Sequence, residues 1–206
     1  PHTWEAAFWS AQTAAHAASL VNDGEKSCYA LSRPPGHHAA KDYAAGFCFF
    51  GNSAIAAEVL KEKHEKIAIL DIDVHHGNGT QDIFYDRSDV LTLSIHADPI
   101  RFYPFFWGHA DEKGEEDGLG FNMNYPLKRG TGDNDYLKIL DDAITSIEKF
   151  KPDALVIALG LDAYEHDPLK GLSITTNGFE RIGQRIGDMM LPTVIVQEGG
   201  YLSVEL

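Results

Sequence analysis

Apolar positions along this chain switch period in a regular alternation. From Thr3 to Leu20, Trp4, Phe8, Ala11, Ala15 and Leu20 recur at helical spacing in an alanine-rich background, and Asn22-Asp23-Gly24 stops the run, which predicts an amphipathic helix. Ser27 to Leu31 reads as a short strand. Arg33-Pro34-Pro35-Gly36-His37-His38 cannot extend it, because paired prolines and a glycine break both kinds of regular structure. Asn52 to His64 has helical composition, and Lys66 to Asp73 is a nearly continuous apolar run, the pattern of a strand covered on both faces. The alternation continues with a helix from Gly79 to Tyr85, a strand from Asp89 to His96, a helix from Asp135 to Phe150, a strand from Ala154 to Gly160, a helix from Thr176 to Met190 and a strand from Thr193 to Gln197. Such a succession predicts the α/β class, a mainly parallel sheet with helices on both faces. Only Ala97 to Gly120 breaks the rhythm, as a long aromatic and charged loop. No repeat or linker divides the chain, so residues 1–206 read as one domain.

Composition narrows the partners. Seventeen Lys plus Arg against thirty-one Asp plus Glu give a formal charge of −14, which excludes a dominant role in binding nucleic acid or an anionic membrane and favours a cationic partner. Cys28 and Cys48 show no metal-knuckle or disulfide spacing and are expected to be buried free thiols. Neither a membrane-length apolar run nor a secretory leader is visible, so a cytoplasmic location is expected, although the chain opens on Pro1 without an initiating Met and reads as part of a longer protein.

The unusual polar clusters all fall at the carboxyl ends of predicted strands, where ligands gather in sheets of this kind. Asp71, Asp73 and His75 are spaced two apart at the close of an apolar run, which places them on one face if the extended backbone persists. Buried carboxylates without partners cost several kcal/mol, so a pair of them beside an imidazole points to a metal. Asp162 supplies a third ligand after a seven-residue stretch without charge, and two carboxylates with one imidazole suit catalytic zinc, iron or cobalt with positions left for water and a substrate oxygen. His37 and His38, on a rigid turn, can present two imidazoles to one reacting centre, with Asp71 and Asn78 able to orient the rings. Glu198-Gly199-Gly200-Tyr201 follows the last strand and can turn a phenol into the same place. His2, His16, His64 and His109 read as surface or partly packed residues, and His96 and His166 as secondary candidates near strand ends.

Together, Arg33-Pro34-Pro35-Gly36-His37-His38-Ala39, Gly46-Phe47-Cys48, Asp71-Ile72-Asp73-Val74-His75-His76-Gly77-Asn78-Gly79-Thr80, Gly160-Leu161-Asp162 and Glu198-Gly199-Gly200-Tyr201 closely resemble the histone deacetylase and acetylpolyamine amidohydrolase family. The resemblance implies the arginase/deacetylase α/β sheet and Zn²⁺ on Asp73, His75 and Asp162. It implies His38 as general base and acid, His37 as its electrostatic partner, and Tyr201 as the hydroxyl that polarises an acetyl carbonyl. Gly46, Phe47 and Tyr103 correspond to positions lining an alkyl channel, and Asp71, Asp73, His75, Ser94 and the carbonyl of Ile95 to a structural K⁺ site. Ser94-Ile95-His96-Ala97-Asp98-Pro99 and Asn124-Tyr125-Pro126-Leu127 look more like the bacterial acetylpolyamine enzymes, whereas Asn78 and the Glu-Gly-Gly-Tyr form are shared with class II deacetylases. The implied substrate is a small cationic acetylated amine; an acetyl-lysine protein deacetylase and a non-catalytic fragment are the competing readings. The family's N-terminal strand, helices and rim loop, and a helix after Tyr201, have no counterpart in this sequence. The aromatic loop from Ala97 to Gly120 is expected to narrow a channel mouth or to form a homodimer contact.

Overall fold

The computed structural model describes residues 2–203, in a single six-stranded sheet flanked by helices. In chain order the elements are α1 (Thr3–Asn22), β1 (Ser27–Ala30), α2 (Asn52–Leu60), β2 (Ile67–Asp71), α3 (Asn78–Phe84), β3 (Val90–Ala97), β4 (Asn122–Leu127), α4 (Asp133–Phe150), β5 (Ala154–Leu159), α5 (Thr176–Asp188) and β6 (Thr193–Gln197). Strand order is β1-β6-β5-β2-β3-β4 and every pairing is parallel, so the α/β expectation holds.

Strand alternation divides the core. Ile67 and Ile69 of β2 pack with Val156, Val194 and the alanines of α1 and α2, whereas Ala68 and Leu70 face Leu137, Leu140 and Ile147 of α4 on the other side. β2 and β3 are buried at every position, which is why they read as unbroken apolar runs. The expected apolar stripe of α1 is not the one used. Its buried face is Ala7, Ala11, Ala14, Ala17, Ala18 and Val21, while Trp4 is 70% exposed, because small side chains let the helix close against α2. β4 was not predicted: it is an edge strand of alternating burial containing Pro126, and both features weaken a strand signal. Cys48 is buried as expected, but Cys28 is only partly so, lying on edge strand β1. Among the described residues, no helix is long and apolar enough to cross a membrane.

The centre of the sheet should behave as close-packed core. Leu70 is fully buried directly before Asp71, so Leu70→Ala is expected to lower the unfolding free energy by about 2–5 kcal/mol in urea titration. Leu119→Ala, at a 67% exposed position, is expected to change it by no more than about 0.5 kcal/mol. Equal effects would contradict the packing described.

Candidate metal centre

β2 stops at Asp71, so Asp73 and His75 do not share a face through strand geometry as the spacing predicted. A succession of side-chain turns brings them together instead. The Asp73 N–H donates to Asp71 Oδ1 (3.0 Å) and the His75 N–H to Asp73 Oδ1 (2.8 Å), each aspartate capping the backbone two residues on. Asp162, three residues beyond β5, accepts from the Val74 N–H (2.9 Å), and the Gly199 N–H after β6 donates to Asp73 Oδ2 (2.8 Å). Loops from three adjacent strands are thereby tied at one point.

Asp73, His75 and Asp162 each present a ligand atom within 4.8 Å of the others, and all three are buried. His75 Nδ1 lies 3.0 Å from Asp73 and 3.2 Å from Asp162, and these carboxylates pull its pKa up to about 9 against the effect of burial. Burial, reinforced by the Asp73 charge, pushes Asp162 up to about 6. Asp162 Oδ2 is buried without a hydrogen bond. Two carboxylates at 0% exposure with one imidazole form an oxygen and nitrogen donor set with surplus negative charge, which fits a divalent cation of the zinc type.

The tandem histidines stand beside this trio in opposite environments. His37 Nδ1 is 2.8 Å from Asp71 Oδ2, and although burial opposes protonation, Asp71 and Asp73 hold its pKa well above the usual range. His38 Nδ1 is 2.7 Å from Asn78 Oδ1, and burial together with the neighbouring His37 charge holds it well below. Asn78 Nδ2 donates to the Tyr43 hydroxyl (3.2 Å), which leaves Oδ1 to accept from His38 and Nε2 of His38 without its proton. Gly46, at φ +52°, abuts His38 so closely that a Cβ would overlap the ring. Tyr103 meets His38 edge-on at 4.8 Å between centroids.

Phe102 stacks on His75 at 5.0 Å and 12° between planes, a support that sequence reasoning missed because nothing marked one aromatic of the loop above the rest. Tyr43 was missed for the same reason. Tyr201 is half-buried, and its hydroxyl is pushed up to about 12 by burial and by Asp162, Asp73 and Asp167, which places it within reach of the cluster's field. Phe47 is 73% exposed. Of the residues implied for potassium, Asp71 and Ser94 are register neighbours on β2 and β3, and Ser94 Oγ is 2.9 Å from His96 Nδ1. His96 is buried behind the cluster, His166 is exposed beside Tyr164, and His2 and His16 are exposed. The apolar groove of about 600 Å³ between α5 and β6 contains none of these site residues.

Gly199 must be a glycine here. A Cβ would collide with Asp162 Oδ2 and sit 2.5 Å from Asp73 Oδ2. Gly199→Ala is expected to weaken Zn²⁺ binding by about 10- to 100-fold, as loss of an oriented ligand does, read by competition with a chromogenic chelator. Unchanged affinity would mean that the metal is held elsewhere.

The sequence matches the family described as Histone deacetylase domain over residues 1–206. It is 53% identical over 200 residues to an acetylpolyamine amidohydrolase of Burkholderia pseudomallei and 50% identical over 200 residues to acetylpolyamine amidohydrolase 1 of Pseudomonas aeruginosa, in each case across 97% of this chain. The chain spans 59% and 58% of the length of those relatives. A crystal structure of acetylpolyamine aminohydrolase from Burkholderia pseudomallei superposes with a TM-score of 0.96 at 53% identity, covering 98% of this chain and 59% of that one. With the fold, the clustered residues and a match along its whole length in agreement, the chain belongs to the histone deacetylase domain family.

Proposed function

We propose that this chain is the catalytic domain, over residues 1–206, of a zinc-dependent amidohydrolase that removes acetyl groups from acetylated amines, with acetylpolyamines as the preferred class. The observation that carries the reading is the meeting of Asp73, His75 and Asp162 with a tandem histidine pair whose members are held in opposite protonation states. The names of the relatives, acetylpolyamine amidohydrolases in both cases, favour the substrate class.

Zn²⁺ bound by Asp73, His75 and Asp162 supplies Lewis acidity toward a carbonyl and lowers the pKa of water. His38, neutral with Nε2 free, takes a proton from the attacking water and returns it to the leaving nitrogen. His37, cationic on Asp71, steadies the charge that develops beside it. Tyr201 keeps its proton at neutral pH and donates to the carbonyl oxygen as that oxygen gains charge, an interaction commonly worth about 3 kcal/mol. Tyr103 and Phe47 wall the alkyl chain and the Gly46 carbonyl accepts the substrate N–H. Asp71, Asp73, His75, Ser94 and the Ile95 carbonyl are proposed to hold K⁺. Phe105, Phe106 and Trp107, exposed at 50%, 76% and 43%, keep the 97–120 loop as the proposed channel rim or contact with a second copy.

A panel of acetylputrescine, acetylspermidine and acetyl-lysine peptides tests the reading on the full-length, zinc-replete protein. The acetylpolyamines are expected to show the highest kcat/KM, and His38→Ala to lower kcat by about 10²–10⁴ with zinc still bound. Faster turnover of the peptides than of every acetylpolyamine would make the protein an acetyl-lysine deacetylase, and no turnover of either class would refute both.

The charge of −14 adds a kinetic expectation. Activity toward acetylspermidine is expected to fall as salt rises and the Debye length shrinks from about 10 Å at 0.1 M to about 3 Å at 1 M, while a neutral acetylated amine shows little change. Parallel salt profiles would rule out electrostatic steering.

A further inference from the structure

Glu198 is a buried carboxylate that none of these steps uses. It is 6% exposed, on the segment between β6 and Tyr201, and burial pushes its pKa up to about 7. Its two oxygens are fully engaged. Oε2 accepts from the backbone N–H groups of Gly36 (2.6 Å) and His37 (3.0 Å), and Oε1 accepts from Ser53 Oγ of α2 (2.9 Å), a hydroxyl that is itself buried.

The turn it grips is the one that presents the tandem histidines. That turn is also held from its other side, where the Pro34 carbonyl accepts from Ser10 Oγ of α1 (2.7 Å) and Asn52 Nδ2 of α2 (3.1 Å). Gly36 lies so close to α2 that a Cβ would overlap the Asn52 nitrogen and sit 2.8 Å from the Phe50 carbonyl. The next residue along the chain faces the other way: the Gly199 N–H donates to Asp73 Oδ2, and Tyr201 follows two positions later. Consecutive residues therefore hold the histidine turn and a metal-facing carboxylate.

We propose that Glu198 is a positioning residue for the proposed deacetylation: its carboxylate clamps the Gly36–His37 backbone to the segment carrying Tyr201, fixing the base and the carbonyl-polarising hydroxyl relative to one another. This rests on the functional reading above. Glu198 touches neither substrate nor metal ligand, so it acts only through the groups it holds. The rival role is electrostatic, its negative charge supporting the cationic state of His37. Glutamine separates the two. A carboxamide oxygen can accept from both backbone N–H groups while its NH₂ donates to the Ser53 hydroxyl, so Glu198→Gln keeps the clamp and loses the charge, whereas Glu198→Ala loses both.

The experiment compares Glu198→Ala and Glu198→Gln with the parent full-length zinc protein by hydrogen exchange and by steady-state kinetics on acetylspermidine. In Glu198→Ala, exchange in segment 33–39 is expected to accelerate by about tenfold or more, with segment 133–150 unchanged. The same variant is expected to lose about 10²-fold in kcat with KM within about threefold, the pattern of a misplaced catalytic group. Glu198→Gln is expected to retain the protection of 33–39 and kcat within about fivefold. Loss in Glu198→Gln equal to that in Glu198→Ala would replace clamping by a charge role, and parent-like exchange in Glu198→Ala would overturn the clamp outright. If Glu198→Ala does not fold, Ser53→Ala removes one of the three bonds and is expected to raise exchange in 33–39 selectively; unchanged exchange there contradicts the proposal. Exchange reports on the clamp even if no acetylated amine is turned over, so failure of the functional reading is recognised separately.

Discussion

Burying Asp71, Asp73 and Asp162 at the ends of two adjacent central strands imposes a demand that the surrounding loops are arranged to meet. A carboxylate removed from water must find donors or a cation, and the penalty for leaving it unmatched is several kcal/mol. Backbone N–H groups of Asp73, Val74, His75 and Gly199 and the ring of His37 answer part of that demand. Each answer fixes a loop. The path after β2 is set by two successive aspartate caps, the loop after β5 by Asp162 on Val74, and the segment after β6 by Gly199 on Asp73. Negative charge remains after those bonds are made, between Asp73, His75 and Asp162, and it is there that a divalent cation fits.

The same accounting explains why two adjacent histidines can serve different purposes. Asp71 is a full charge and makes His37 an imidazolium; Asn78 is a neutral amide and leaves His38 a base. Proximity sharpens the contrast, since the His37 charge makes a second one on His38 unfavourable. Environments that push the pKa values of neighbouring groups apart are how one site assigns an acid and a base. Helices α1 and α2 contribute through the buried Ser10, Asn52 and Ser53, whose contacts keep the turn carrying this pair in place.

Most of the fold was legible because its central strands are covered on both faces and the helices between them are amphipathic. β4 escaped because an edge strand with a proline and alternating burial resembles a loop. In α1 the large aromatics drew the eye to the wrong face, since burial there follows the small residues that permit close helix contact. The site was legible as a set of motifs, each at a strand end. Its geometry was not: the spacing of Asp71, Asp73 and His75 predicted an extended strand, and the structure achieves the cluster by turns. Phe102, Tyr43, Ser53 and the holding contacts of Glu198 were invisible for a common reason, that their roles lie in contacts made across dozens of residues or more and leave no local pattern.

The claim on which everything else depends is that the three buried ligands share one metal ion. Anomalous diffraction at the zinc absorption edge, from crystals of the zinc-replete protein, tests it directly. The account predicts a single strong peak within about 2.0–2.2 Å of a carboxylate oxygen of Asp73, a ring nitrogen of His75 and a carboxylate oxygen of Asp162. A peak at any other residues, such as Cys28 or Cys48, with none among these three, would contradict it.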